Sequence, residues 1–539
     1  MATRGMVTSP HSLATTAGLQ VLQEGGNAVE AAICSAAVIA VVYPHMNGVG
    51  GDNFWLLYDA NQAAVRSLMA TGQAGRKATP QTYKDAGYPS SLPVRGVLAA
   101  NTVPGSVDGW LQAYEYSRQF LNGKIPLQRL LEPAIYYAES GFPVTPSQED
   151  WTSKNIGIAS GVFGHLELVP GFAKTFLKPT GLPYRAGERF FQPNLGATLR
   201  AIAKGGREAF YEGAIAKTIA QFLREQDGLL SEEDFAAYHS RWEDPLSIRY
   251  RDWSVYNTPP PTQGLTSLQI LKILEQHPIR EWGEDSSLYY HVMVEATKQA
   301  FKDRDKWVSD PDFTQIPIQD LLSSRRIQEL NSNIDLVTAT MARQDRAIGG
   351  DTVWLGVVDE QGHAVSLIQS IYFDFGSGVI AGDTGILLQN RGSSFVLDET
   401  HPNFLTPGKR PFHTLNPAMA LRDNQPELVY GTMGGEGQPQ TQAAIFTRIL
   451  ELGMDVQAAI DAPRWLYGRT WGEETSLLSI EARTPAHIVE DLRGKGHELR
   501  IVGAWDEKMG HAQAIWIDPV TKTRYAGADT RGDGIAAGY

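Results

Sequence analysis

Between residues 12 and 43 apolar positions recur at helical spacing twice: in SLATTAGLQVLQEGG, which closes on a Gly-Gly C-cap, and in NAVEAAICSAAVIAVVY, which opens on Asn27 as its N-cap. The turn PHMNGVGGDN then leads into FWLLYD, an aromatic and aliphatic run that predicts a strand. Helical spacing resumes in SVDGWLQAYEYSRQFL, LQRLLEPAIYYAESG, LGATLRAIAKGG, AIAKTIAQFLREQ and LTSLQILKILEQH, so the chain up to Leu330 is expected to be helix-rich. From Leu330 to Gly350 the periodicity is lost and the segment ends in Gly349-Gly350, the pattern of a polar, flexible loop. Beyond it the signature changes to strands and tight turns. TVWLGVV and AVSLIQS flank DEQGH as a hairpin, GILLQN, PELVYGTM and AQAIWID predict further strands, and TQAAIFTRILELG and TPAHIVEDLRGKG predict helices between them. The hairpin from Ile348 to Ser370 therefore looks like the opening of a new unit. Helices mixed with antiparallel strands predict an α+β class with helices layered over sheet.

This restart puts Thr352 at the head of a strand, directly after Asp351. Inside a chain a threonine hydroxyl has no neighbouring base. A threonine that becomes an N-terminus gains an α-amino group with a pKa of about 7.7–8.0, which can take the hydroxyl proton. Cleavage between Asp351 and Thr352 would thus create nucleophile and base in one residue, and the Gly349-Gly350 pair would let the released end move away. In isolation Gly-Asp-Thr before a strand is weak evidence, and a plain strand-start threonine is the better reading. A second feature is YGTMGGEGQPQ, where Gly434 and Gly435 follow a strand and precede a helix. Adjacent glycines can turn successive N–H groups toward one anion, as an oxyanion hole requires, or can form a simple strand-to-helix turn.

Composition narrows the classes. The 539 residues carry 47 basic and 60 acidic side chains, a net charge of −13, with no basic stripe for a phosphate backbone, which argues against a nucleic-acid partner. The single cysteine, Cys34, excludes an intrachain disulfide and cysteine-rich metal schemes, and its apolar surroundings predict a small buried hydrophobe. The twelve histidines show no HExxH or comparable metal-ligand spacing. No apolar run follows Arg4, which predicts a cytoplasmic protein, and the most membrane-like run, Ala28 to Tyr43, contains Glu30 and falls short of the ~20 apolar residues of a spanning helix.

The order of several motifs along nearly the whole chain resembles the γ-glutamyltransferase (γ-glutamyl transpeptidase) family of N-terminal-nucleophile hydrolases. EGGNAVEAA is similar to that family's helix junction, and PHMNGVGGDNFWLLY to its glycine-rich turn and strand. NTVPGSVDGW, FGSGVIAGDTGILLQN, KRPFHTLNPAM, DAPRW and the terminal GADTRGDGIAAGY match further segments. The resemblance implies an αββα sandwich made as one polypeptide that cuts itself into a large subunit, residues 1–351, and a small subunit, residues 352–539, with a dimer of such pairs as the assembly. It implies Thr352 as nucleophile, Ser370 as an assisting hydroxyl where an ordinary strand serine is the alternative, Gly434 and Gly435 as oxyanion donors, and neither a metal nor an organic cofactor.

The same resemblance marks departures. Where the family holds a glutamyl carboxylate and ammonium with an arginine and an acidic pair, this chain has LMATGQAGRKAT, with Thr71 and only a later Arg76, and NRGSSF, with Ser393 and Ser394. The family's paired serines are replaced by His413 and Thr414. Leaving a buried charged substrate group unpaired costs ~2–5 kcal/mol, so a glutamyl donor is expected to bind poorly. One cation is gained. Arg391, in QNRG, is either a partner for a carboxylate beside the scissile carbonyl or a surface arginine, and His413 is either a donor to a small acid or a packed loop histidine. QNRG, FHTLNPA and YPHMNG are similar to the oxamate amidohydrolase branch, whose substrate needs one close cation and no ammonium site. The expected activity is therefore hydrolysis of a small acidic amide, oxamate first, with Arg391, His413, Thr414 and Ser394 around the acyl group. A glutathione-degrading γ-glutamyltransferase, a cephalosporin acylase-type amidase and an uncleaved scaffold or binding relative are the alternatives.

Overall fold

The computed structural model describes residues 1–157, 164–340, 350–468 and 475–539. Two antiparallel sheets face each other. The first runs, edge to edge, through Ile535–Gly538, Met6–Ser9, Asp351–Val358, Ala364–Tyr372, Asp52–Asp59, Ala64–Ala70 and Arg241–Glu243. The second runs through Arg524–Ala528, Ala512–Ile517, Gln425–Thr432, Ala418–Arg422, Trp253–Asn257 and Leu246–Tyr250.

Strand alternation divides the apolar residues among the layers. Val353, Leu355 and Val357 face outward, onto Ser12–Gln23, Ala28–Val42, Ser106–Phe120 and Leu127–Ser140. Trp354 and Val358 face the second sheet, where they join Phe54, Ile368, Met419, Val429 and Ile515. The far face of the second sheet packs through Val255, Ala420 and Leu428 on the helices Gly264–Leu274, Ser287–Trp307 and Gln438–Phe446. The result is the expected αββα sandwich. Ala28–Val42 can pack against the sheet on one side and helices on the other because its surface is apolar apart from Glu30 and Ser35 and its start is capped. Asn27 Oδ1 accepts from the Val29 and Glu30 amides at 3.1 and 3.0 Å, and Glu30 accepts from the Asn27 amide at 3.0 Å, a reciprocal capping box.

Three expectations change. The hairpin from residue 351 to 372 does not open a separate unit: it lies inside the first sheet, between strands formed by the first 60 residues. GILLQN forms no strand; Gly50 bridges Leu388 and Ile380 bridges Leu387 as isolated contacts, which turn this segment along the end of the sheet. The stretch before Leu330 supplies five strands of the two sheets beyond FWLLYD, namely Met6–Ser9, Ala64–Ala70, Arg241–Glu243, Leu246–Tyr250 and Trp253–Asn257, so it is less purely helical than its periodicity suggests. Residues 341–349 of the loop expected ahead of Thr352, including Gly349, lie outside the described residues. Among the described residues no helix is long and apolar enough to cross a membrane.

Close packing fixes the register beside Thr352. The Trp354 indole donates to Ser366 Oγ at 2.9 Å and lies flat over Gly431, where an added Cβ would come within 2.2 Å of its ring. Gly431→Ala should therefore destabilise the fold by ~1–3 kcal/mol through overpacking. The melting temperature of the variant measures this, and an unchanged value would mean that the indole has another place to go.

Candidate active site

Thr352 stands at a fault in its own ladder. Gln369 pairs with Val353 and Tyr372 with Asp351, so two residues, Ser370 and Ile371, oppose the single Thr352 in a β-bulge. The bulge bends the strand end away from regular pairing. Tyr372 leaves it at φ 85°, a left-handed conformation costly for a tyrosine, and its amide donates to Ser370 Oγ at 2.7 Å. Ser370 itself lies opposite Asp52 in the neighbouring strand. Thr352 is fully buried, and its hydroxyl oxygen has no hydrogen-bond partner among the described residues.

Gly434 and Gly435 follow the second-sheet strand Gln425–Thr432 and open the turn into Gln438–Phe446. Their φ values of 119° and 52° lie in the region that favours glycine. The Gln263 amide nitrogen braces this turn, donating to Gly435 O at 2.9 Å and to Thr414 O at 2.7 Å. Behind it, Glu436 and Arg304 form a buried ion pair at 3.2 Å. A Cβ built on Gly350 would sit 3.2 Å from the Tyr372 ring and 3.5 Å from Gly435 Cα. The backbone just ahead of Asp351–Thr352 is thus wedged between Tyr372 and the glycine turn.

Arg391 is not a surface residue. It is fully buried, its guanidinium carbon lies 3.8 Å from the centre of the Tyr372 ring, and Nη1 donates to Thr414 Oγ1 at 3.3 Å. Its Nε and Nη2 have no hydrogen-bond partner among the described residues, and no carboxylate there forms an ion pair with it. Burial lowers its pKa to about 10, with Tyr372 and Asp52 opposing the shift, so it stays charged at neutral pH.

His413 is packed and polar at once. Its ring meets Phe54 edge-on, Nε2 lies 3.0 Å from Asp52 Oδ2, and Nδ1 has no partner among the described residues. Burial, with Arg391 adding to it, holds the imidazole well below its usual range and therefore neutral. Asp52 was not singled out in the sequence, although it stands in the quoted VGGDNF turn. Its Oδ1 accepts from the Gly105 amide at 2.9 Å, the Gly72 amide at 3.3 Å and the Gln389 side chain at 3.1 Å. Thr71 Oγ1 reaches Oδ2 at 3.3 Å. Burial pushes the Asp52 carboxyl up to about 7 despite Arg391 and these donors, which pull it down.

The structure therefore gathers Arg391, Thr414, His413 and Asp52 into one buried cluster, tied through Tyr372 and Gln263 to the Thr352 strand end and to Gly435. Ser394 is less central, since its hydroxyl donates to Phe412 O at 3.2 Å and holds the two loops together. Arg76 lies outside the cluster, with a largely exposed side chain 3.8 Å from Asp234. Tyr372 and Gln263 were missed because their roles come from a strained turn and a long-range brace. Away from this cluster, His291, Glu295 and His497 bring possible metal-ligand atoms within 4.8 Å of one another. Those atoms already bond within the protein: His291 with His497 at 2.8 Å and Glu295 with Lys298 at 2.7 Å.

The αββα sandwich, with a buried threonine near the start of an inner strand and a paired-glycine turn close to the backbone ahead of it, resembles the fold of N-terminal-nucleophile hydrolases. The gamma-glutamyltranspeptidase family model matches residues 14–539, and the chain belongs to that family. It is 45% identical to the glutathione hydrolase-like YwrD proenzyme of Bacillus subtilis, covering 99% of this chain and 98% of that one. It is 43% identical to the oxamate amidohydrolase proenzyme of Klebsiella pneumoniae, covering 100% and 99%. Among solved structures it is similar to cephalosporin acylase from Bacillus halodurans, with a TM-score of 0.90 at 35% identity over 100% of this chain and 96% of that one. The chain is accordingly a proenzyme of this family, a precursor of large and small subunits.

A buried guanidinium with an unpartnered edge is a cost to folding. Arg391→Met should leave the melting temperature equal to or above that of the wild type. A marked fall would show that Arg391 is instead a structural tie.

Proposed function

We propose that this proenzyme cuts itself between Asp351 and Thr352, into subunits 1–351 and 352–539, and then hydrolyses oxamate to oxalate and ammonia. The observation that carries the substrate reading is the buried Nε–Nη2 edge of Arg391, a fork that matches one carboxylate in bidentate fashion. An acyl group whose carboxylate directly adjoins its carbonyl would place that carbonyl close to its anchor, and Tyr372 links Arg391 to the residues beside Thr352. The 43% identity to a protein named oxamate amidohydrolase supports the same reading.

In maturation the Thr352 hydroxyl attacks the Asp351 carbonyl, the peptide becomes an ester, and water releases the new amino terminus. In turnover the Thr352 amine takes the hydroxyl proton, and Oγ1 attacks the amide carbon. The Gly434 and Gly435 N–H groups receive the oxyanion, with Ser370 holding the bulge through the Tyr372 amide. The amine returns its proton to departing ammonia and then activates the water that frees oxalate.

The similarity to a glutathione hydrolase-like protein raises a second reading, in which Asp52 holds the ammonium of an amino-acid acyl group opposite Arg391. Asp52 is poorly suited to that. Its two oxygens already meet five donors, about the number a carboxylate can accept.

Thr352→Ala should remain one full-length band on denaturing gels, and sequencing of the wild-type small subunit should begin Thr-Val-Trp-Leu. Two bands from the variant, or another start, would reject the cleavage site. Gly435→Pro removes one oxyanion N–H and also forces the backbone away from its φ of 52°, so it should lower turnover by at least ~100–1000-fold in a folded protein. Ammonia release from oxamate, glutamine and glutathione decides the substrate: oxamate should lead, and Arg391→Met should raise its KM sharply while cleavage proceeds. Faster release from glutamine or glutathione would reject oxamate and favour the amino-acid reading.

A further inference from the structure

Arg391 and Asp52 are opposite charges in one buried cluster, yet no direct ion pair joins them among the described residues. Resting on the proposed carboxylate site at Arg391, a second step follows from this arrangement. A bound carboxylate brings a second negative charge into a space with one permanent cation. Two buried anions against one cation is the configuration that low polarity penalises most, and the remedy is uptake of a proton by the group best placed to hold it. Asp52 and His413 are that group. They share one hydrogen bond, Oδ2 to Nε2 at 3.0 Å, and His413 Nδ1 is left without a partner among the described residues.

The geometry points to the Asp52–His413 pair as the charge-balancing element of the acyl pocket: it takes up one proton as the substrate carboxylate binds and so turns His413 Nδ1 into a hydrogen-bond donor. The proton balance is explicit. In the empty site Asp52 is ionised and His413 donates Nε2–H to Oδ2. On binding, a proton from solvent reaches Nδ1 while the Nε2 proton passes to Oδ2, leaving a neutral acid, a neutral imidazole with N–H at Nδ1, and Nε2 as acceptor. Asp52 and His413 thus act as positioning residues that set which charge the pocket accepts.

The groups facing the pair are few. Arg391 lies within electrostatic reach of both residues, with Tyr372 stacked on its guanidinium. Tyr238 and Tyr211, both buried, sense the Asp52 charge, and burial holds both phenols well above their usual range, so they stay neutral. The other contacts are the neutral donors of Thr71, Gly72, Gly105 and Gln389. After cleavage the Thr352 amine is the competing acceptor. For the sign, Asp52 titrates near 7 in the empty site, and a bound anion raises it further. Affinity is then full below about 7 and falls up to tenfold per pH unit above it, until the bound-state value is passed.

Pyruvate, the isostere of oxamate without the amide nitrogen, is the probe. Calorimetric titration of the processed wild-type enzyme near pH 8, in two buffers of different ionisation heat, counts the protons taken up. The expected result is close to one proton per pyruvate, falling to near zero in Asp52→Asn. Binding without proton uptake overturns the inference and leaves the carboxylate site intact. Unchanged uptake in Asp52→Asn assigns the proton to the Thr352 amine and equally overturns it. Failure of both pyruvate and oxamate to bind rejects the carboxylate site itself, and the inference with it. If Asp52→Asn does not mature, ¹⁵N-histidine spectra of the wild type give the same answer: one unprotonated ring nitrogen, absent from His413→Gln, should become N–H when pyruvate is added, and its persistence unchanged overturns the inference.

Discussion

The structure depends on holding the strand Asp351–Val358, with the proposed cleavage point at its head, inside a sheet. Asp351–Val358 is paired along its length with Ala364–Tyr372 and, at Gly356 to Val358, with Met6–Ser9 from the other end of the chain. Outward it packs on the helix Ala28–Val42, and inward Trp354 lies over Gly431 of the second sheet. A separate chain beginning at Thr352 would have to find this slot between strands of another molecule. Folding as one polypeptide makes those contacts intramolecular, so the loop-closure cost is met once and the proposed break would leave a packed strand behind. Among the described residues no strand covers the far edge of Thr352 to Leu355, and that open half is where the bulge, Tyr372 and the glycine turn converge.

Electrostatics in the cluster follow from the same burial. Arg391 is held in a dry site by the face of Tyr372, by one hydroxyl and by the field of Asp52. Each is weaker than a direct ion pair, which leaves the Nε–Nη2 edge available. The strained φ of Tyr372 is part of that arrangement, because a ring carried at a relaxed backbone angle would not both cover Arg391 and flank Gly350. Gln263 adds rigidity by joining the Arg391 side of the site, at Thr414, to Gly435.

Much of this was legible in the sequence where local chemistry decides. The capped helix after Asn27, the hairpin at 351–372 and the strand ahead of Gly434 are written in caps, alternation and turn residues. The helix Ser287–Trp307 was not read, because buried Glu295, Lys298, Asp303 and Arg304 interrupt its apolar stripe, the first two paired with each other, Asp303 with Arg326 and Arg304 with Glu436. GILLQN looked like a strand because its composition suits one, yet the sheet edge at that point is turned by Gly50 and Ile380. In the site, glycine spacing and the strand-start threonine pointed to their places. Asp52 was invisible for a different reason: an acid in a glycine-rich turn resembles any turn residue until the fold brings Arg391 and His413, over 300 positions away, beside it.

The central claim is that the Thr352 hydroxyl carries an acyl group selected by Arg391. Mixing processed enzyme with oxamate, quenching in acid within the first turnovers and weighing the small subunit by mass spectrometry tests it directly. The account predicts an oxalyl ester that fragmentation places on Thr352 of the 352–539 chain. An unmodified small subunit during steady turnover, or an acyl group on any other residue, would contradict it.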